Sequence, residues 1–143
     1  MTALVHQATC VAIGGRAILI EGEPGSGKSS LALALIDRGA GLVGDDGVTL
    51  QLRDGTLWAD PPPNTAGLLE IRNVGIVRVE AAGAPVALVL LLDPAAPRHV
   101  ETAGAVTRAG VTLPMIRLWP GSPVLALRAE WALALHGTGH ATG

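Results

Sequence analysis

The run Gly22-Glu23-Pro24-Gly25-Ser26-Gly27-Lys28-Ser29 constrains this chain more than any other part of it. It has the spacing G-x-x-x-x-G-K-[ST], whose glycines let successive backbone N–H groups turn inward and form an anion nest at a helix N-terminus. The flanks agree with that reading. An apolar run at residues 17–20 leads into the motif, and a helix-forming run at residues 30–38, stopped by Gly39, leads out of it. All eight residues are therefore candidates for cradling phosphate groups. Lys28 would reach the β- and γ-phosphates and the Ser29 hydroxyl would ligate Mg²⁺. Glu23 reads as a solvated loop residue, because a carboxylate facing a triphosphate is repelled.

The rest of the pattern argues against an all-parallel sheet. Apolar runs at residues 9–13 and 17–21 flank Gly14-Gly15-Arg16, and runs at 48–53 and 56–59 flank Asp54-Gly55; both are hairpin signals. The stretch at residues 41–50 puts Asp45 and Asp46 side by side on what reads as a strand, with its apolar start at residues 42–44. Pro61-Pro62-Pro63-Asn64 interrupts regular structure, and residues 68–72 and 75–79 read as strand-like segments about a polar kink. Residues 86–92 read as a buried strand closed by Asp93-Pro94, and residues 111–119 as a further strand. A last helix is expected with Ser122 as N-cap, Pro123 in its first turn and Gly137 as its stop. In it Leu125, Leu127, Trp131, Leu133 and Leu135 read as packing residues. The expected fold class is α/β: a single P-loop domain over residues 1–137 with a mixed, largely antiparallel sheet, followed by a flexible tail at 138–143.

Composition narrows the function classes. The 143 residues are 49% hydrophobic, which suffices for one core. Only 15% are charged and the formal net charge is −2, so no basic footprint for nucleic acid or an anionic membrane exists. Aromatic residues make up 2%, which leaves no platform for stacking bases. The single cysteine, Cys10, lies in an apolar run and reads as an inert buried thiol. The first ten residues lack a signal-peptide pattern, and the longest apolar run is much shorter than the ~20 residues a bilayer requires, so a cytoplasmic location is expected.

A phosphate loop with bound metal needs a second protein oxygen, and an acceptor hydroxyl needs a base. Asp93, after a run of apolar residues, is one candidate; its structural alternative is a turn that closes a strand. The adjacent pair Asp45-Asp46 is the other, with two solvated turn acids as its alternative. His99, His136 and His140 share no ligand spacing and read as surface residues.

The phosphate loop, the Asp45-Asp46 pair and the stretch Leu68-Leu-Glu-Ile-Arg-Asn-Val-Gly-Ile-Val-Arg-Val79 together resemble the catalytic domain of HPr kinase/phosphorylase, in its short proteobacterial form. That family has a phosphate loop, then an Asp-Asp pair one helix and one short strand later, then a signature close to L-E-I-R-G-L-G-I. The resemblance runs over about residues 7–79. It implies a nucleotide-binding core like that of phosphoenolpyruvate carboxykinase, and a hexameric kinase that phosphorylates a serine of the phosphocarrier protein HPr with ATP and Mg²⁺. In many members the same site also removes the phosphate by phosphorolysis. By resemblance Asp45 is the general base, Asp46 holds metal-bound water or fastens the turn at Gly47, and Ser29 and Glu70 serve the metal with Arg72 beside them.

This chain departs from the family at three points. A family histidine precedes the first loop glycine by fifteen residues; Gln7 stands there, and a one-residue bulge would bring its neighbour His6 in as the catalytic-site histidine. Asn73 replaces a glycine in the signature. Residues 118–122 lack the arginines of a late family segment tied to the reverse reaction, although Arg117 is near. Two other functions compete: a P-loop kinase for a small metabolite, which would need a lid that Arg98, Arg108, Arg117 and Arg128 do not spell out, and a non-catalytic nucleotide sensor.

Overall fold

The computed structural model describes residues 3–139. In chain order its elements are β1 (Leu4–His6), β2 (Thr9–Ile13), β3 (Arg16–Gly22), α1 (Lys28–Asp37), β4 (Gly41–Gly44), β5 (Val48–Arg53), β6 (Thr56–Asp60), β7 (Leu68–Ile71), β8 (Gly75–Arg78), β9 (Ala84–Leu92), β10 (Gly104–Arg108), β11 (Val111–Leu118) and α2 (Leu125–His136). The main sheet is mixed, as expected. β3, β9 and β11 run parallel at its centre, while β1, β2, β4, β5, β6 and β10 join by antiparallel pairings. β7 and β8 form a separate antiparallel ribbon.

The central strands are apolar on both faces because both faces are covered. Ile18, Ile20, Leu88 and Leu90 pack under α1 and α2 with Leu31, Leu35, Ala129 and Leu133. On the opposite face Leu19 and Val89 pack with Cys10, Val48, Leu50, Leu57 and Ala59, so the β5–β6 wing curls over the sheet as a third layer. Cys10 is fully buried there, and burial pushes its thiol pKa upward, as an inert core thiol requires.

Both expected hairpins are present, with registers Ile13↔Arg16 and Arg53↔Thr56 around two-residue turns. A third, β10–β11, closes through Ala109-Gly110 with register Arg108↔Val111. Its first turn residue has φ 50° despite carrying a Cβ, so Ala-Gly gives no sequence signal of the kind Asp54-Gly55 gives. β10 and the short edge strand β1 were not expected.

Other expectations need correction. Asp45 and Asp46 do not lie on a strand: β4 ends at Gly44 and the pair occupies the bend before β5. Ser122 caps a preceding turn, its Oγ accepting from Val124 N (3.1 Å), and α2 starts only at Leu125. Of the expected packing residues on α2, Leu133 is buried, but Leu127, Trp131 and Leu135 are 40%, 66% and 72% exposed, forming an apolar stripe with Val124. Ala129 and Ala132 do the packing instead, which lets α2 lie close to the sheet. Gly137 ends the helix as expected. Thr138 N still donates to Ala87 O (2.9 Å), so the ordered chain reaches past residue 137; the rest of the expected tail, residues 140–143 with His140, lies outside the described residues.

Gly44 makes the aspartate bend possible. A Cβ at that position would run into the carbonyl of Gly47 and lie 2.7 Å from the Val48 side chain. Both neighbours are held by the start of β5, so neither yields cheaply. Gly44→Ala is expected to destabilise the fold by about 2 kcal/mol or more, read as a lower urea midpoint at unchanged m-value.

Candidate active site

β3 delivers the chain into the phosphate loop and α1 takes it out, so residues 22–29 wrap the N-terminus of α1. Gly22 is required by close packing: a Cβ there would sit 2.6 Å from Ser26 Oγ and 3.2 Å from the Leu92 carbonyl, at φ 156°. Gly27 takes φ 103° as the residue before the helix, a left-handed conformation open to glycine. Lys28 Nζ donates to the carbonyls of Gly22 (2.9 Å) and Glu23 (3.1 Å), which places its ammonium over the loop. The Glu23 side chain is exposed, in line with a solvated loop acid.

The bend after β4 brings Asp45 against this loop. Its Oδ1 accepts from Ser29 Oγ (2.6 Å), its Oδ2 from the backbone N–H of Glu70 (3.1 Å), and its carbonyl from Thr9 Oγ1. One residue thereby joins α1, β7 and β2. A cavity of ≈ 630 Å³ opens over these groups, lined among others by Lys28, Ser29, Asp45, Asp46, Glu70 and Arg72. Asp46 is exposed at its mouth. The β7–β8 ribbon that carries Glu70 and Arg72 turns through Asn73 at φ 69°, one of the few side chains that tolerate the left-handed region in place of glycine.

His6 is not in this cavity. Its Nε2 donates to Glu21 Oε2 (2.8 Å), on the other side of the phosphate loop, and Gln7 lines the same second cavity of ≈ 680 Å³. Arg108, weighed in the sequence only as one of four arginines that spell out no lid, completes that cluster: its Nη2 donates to Glu21 Oε1 (2.6 Å) and its Nε to Oε2 (3.0 Å). No spacing rule links residues 6, 21 and 108, which come together only through the sheet. Burial alone would raise the Glu21 pKa, but the hydrogen bonds from Arg108 and His6, with their charges, outweigh it and hold the carboxyl below its ordinary value.

Asp93 also lies in the second cavity. Its Oδ1 accepts from Ala95 N (2.8 Å), so it closes the turn after β9, as its structural alternative required. Arg117 is half exposed and 3.9 Å from Asp93. His99 is exposed and His136 half-buried, and neither lines either cavity.

The first cavity suits a phosphate–Mg²⁺ group on its donors. Ser29 contributes a hydroxyl and Asp45, Asp46 and Glu70 contribute carboxylates, all hard oxygen ligands. Among the described residues no cluster of three or more His, Cys, Asp or Glu is arranged to hold a metal by itself.

Comparison with known proteins decides the family. The profile described as HPr Serine kinase C-terminal domain matches residues 2–84. The chain belongs to the HPr serine kinase C-terminal domain family. Among relatives, the HPr kinase/phosphorylase of Clostridium botulinum (strain Eklund 17B / Type B) is 49% identical over 48% of this chain and 23% of its own length. That of Streptococcus thermophilus (strain ATCC BAA-491 / LMD-9) is 50% identical over 48% of this chain and 23% of its own. The match thus spans about a quarter of those relatives. The Hpr(Ser) kinase/phosphatase structure from Coxiella burnetii superposes with a TM-score of 0.81 at 28% identity, covering 92% of this chain and 88% of that one. The family fold therefore extends through β9–β11 and α2, well beyond the stretch where sequence similarity is high.

The depressed Glu21 pKa fixes a sign for stability against pH. A carboxyl whose folded pKa lies below its unfolded value, about 4.3 for glutamate, contributes stability in full above that value and loses it as pH falls through the folded pKa. Glu21→Gln is expected to melt at a lower temperature than the native chain at pH 7. The gap should close below about pH 4, measured as Tm across pH 3–8.

Proposed function

We propose that this chain is the catalytic core of a serine kinase that moves the γ-phosphoryl group of ATP, with Mg²⁺, to HPr. The names of its relatives supply the substrate: HPr kinase/phosphorylase in Clostridium botulinum and Streptococcus thermophilus, and Hpr(Ser) kinase/phosphatase in Coxiella burnetii. The observation that carries the reading is the 2.6 Å contact of Asp45 with Ser29 at the N-terminus of α1. A carboxylate there faces the phosphate cradle and not bulk water.

In this reading the loop glycines, Lys28 and the helix N-terminus bind the triphosphate. Ser29 and Glu70 hold the cation, which when bound neutralises charge on the phosphates. Asp45 accepts the proton of the incoming serine hydroxyl as its oxygen bonds to the γ-phosphorus and the bond to the β-phosphate oxygen breaks, releasing ADP. An ionised carboxylate has about four lone-pair positions. Two serve Ser29 and Glu70, so Asp45 has acceptor capacity left for the substrate. Asp46, exposed at the cavity mouth, is positioned to hold water near the cation.

The proposal covers the kinase direction only. Residues 118–122 contain no arginine, and Arg117 lies 3.9 Å from Asp93, away from the groups that line the cradle. The exposed stripe Val124, Leu127, Trp131 and Leu135 on α2 is a candidate contact for the oligomer that the resemblance implies.

Asp45→Asn is expected to slow transfer of labelled phosphate from ATP to HPr by about a hundredfold or more, while nucleotide affinity stays within a few-fold. Full transfer activity in that variant removes Asp45 from the role of base. Label transferred to a metabolite and not to HPr reassigns the substrate.

A further inference from the structure

Glu21 follows Ile18, Leu19 and Ile20 on a strand buried on both faces, where the pattern calls for another apolar side chain. Instead a carboxylate only 14% exposed is gripped by both donors of the Arg108 fork and by His6. Taking such a group out of water is costly. A buried ion pair is often no better for stability than apolar residues of similar volume, so stability alone does not account for it.

What the cluster joins is informative. Glu21 immediately precedes Gly22, whose carbonyl anchors Lys28. Arg108 is the last residue of β10, at the hairpin turn. His6 is paired with Val48 in the β1–β5 ladder, and β5 begins directly after Asp45-Asp46-Gly47. A Cβ built on Gly47 would lie 3.8 Å from the His6 carbonyl, so β1 backs the aspartate bend closely. A continuous path therefore runs from the phosphate loop through Glu21 and His6 to the far end of the bend that carries Asp45. It is a second connection, independent of the Ser29–Asp45 hydrogen bond.

We propose that Glu21, held by Arg108 and His6, is a positioning residue that sets the spacing between the phosphate loop and the aspartate bend. The inference rests on the kinase reading above. Glu21 does not line the cavity that holds Asp45, its hydrogen bonds go to Arg108 and His6, and those donors leave it no part in proton transfer. Glu23 and Asp93 line the same second cavity, Glu23 exposed and Asp93 bonded to its own turn, and neither pairs with Arg108. Phosphoryl transfer depends on in-line placement, and an error of about 1 Å costs on the order of a hundredfold in rate.

The test is the double variant Glu21→Leu with Arg108→Met, compared with Glu21→Gln and the native chain. Four properties are measured: melting temperature, single-turnover transfer to HPr, affinity for a fluorescent ATP analogue, and hydrogen exchange over residues 41–50. The double variant, whose buried pair is replaced by apolar groups, should keep its melting temperature. Its transfer rate constant should fall about tenfold or more with nucleotide affinity changed by less than about twofold, and exchange at 46–48 should accelerate while that of α1 does not. Glu21→Gln, which keeps the shape and loses the charge, should show the same direction of change and serves alone if the double variant does not fold. Native transfer and native exchange in either folded variant overturn the proposal. If the native chain transfers nothing to HPr, the kinase reading fails by itself, and exchange at the bend still decides whether Glu21 holds it.

Discussion

A hydrogen bond from the Ser29 hydroxyl to the Asp45 carboxylate joins the two parts on which this site depends. Ser29 belongs to the first turn of α1, where the backbone N–H groups and the helix dipole favour anions. Asp45 belongs to a bend fixed by different forces: the β2–β4 pairing, the missing Cβ of Gly44 and the Thr9 hydroxyl on its carbonyl. Without that contact the anion cradle and the acid would be neighbours by topology only. With it, an acceptor-only group faces a region built to collect negative charge. With a triphosphate in the cradle its charge and that of Asp45 would repel unless a cation or a proton entered between them, and the proposed phosphoryl transfer would bring both.

The sheet makes that contact possible by mixing strand directions. β3 and β9 run parallel, so the C-terminal end of β3 opens beside that of β9, with room for the loop to wrap α1. β2 runs antiparallel to β3 and β4 antiparallel to β2, so β4 points the same way as β3 and leaves the sheet at the end at which the loop begins. In an all-parallel sheet the strand after α1 would also deliver its C-terminal end to the cradle. Here the antiparallel return additionally lets β5 and β6 fold back and seal the second face of the core. The apolar composition is what pays for this third layer: Val48, Leu50 and Leu57 are each no more than 2% exposed.

Much of this was legible in the residues. The glycine spacing, the apolar strand before it and the helix formers after it define the cradle, and Gly-Gly and Asp-Gly mark two of the hairpins. The Asp45-Asp46 pair with Leu68–Ile71 behind it identified the family. What escaped has physical reasons. β1 is three residues long at an edge, too short for any periodicity, and β10 closes through an alanine held at positive φ by its own ladder. On α2 the large apolar residues suggested a core face, yet the alanines pack because a helix lying close to a sheet needs small side chains. His6 would have come near Asp45 only through a one-residue bulge, but the sheet register sends its ring to Glu21, a partner fifteen residues away that no local rule predicts.

That displacement explains why the chain holds two ionic clusters on either side of one loop. In the first, Ser29, Asp45 and Glu70 leave carboxylate capacity open toward the cavity. In the second, Arg108 and His6 saturate the carboxylate of Glu21, so it offers nothing to a substrate. Lys28 sits between them, its ammonium on the carbonyls of Gly22 and Glu23, which also line the second cavity. An ammonium has three donors, and two are committed to the loop, so its remaining donor and its charge face whatever enters the cradle. A negative charge left unpaired at Glu21, next to Gly22, would compete with phosphate for that lysine. In the proposed kinase, Glu21 saturated by Arg108 and His6 would leave the charge of Lys28 to the cradle.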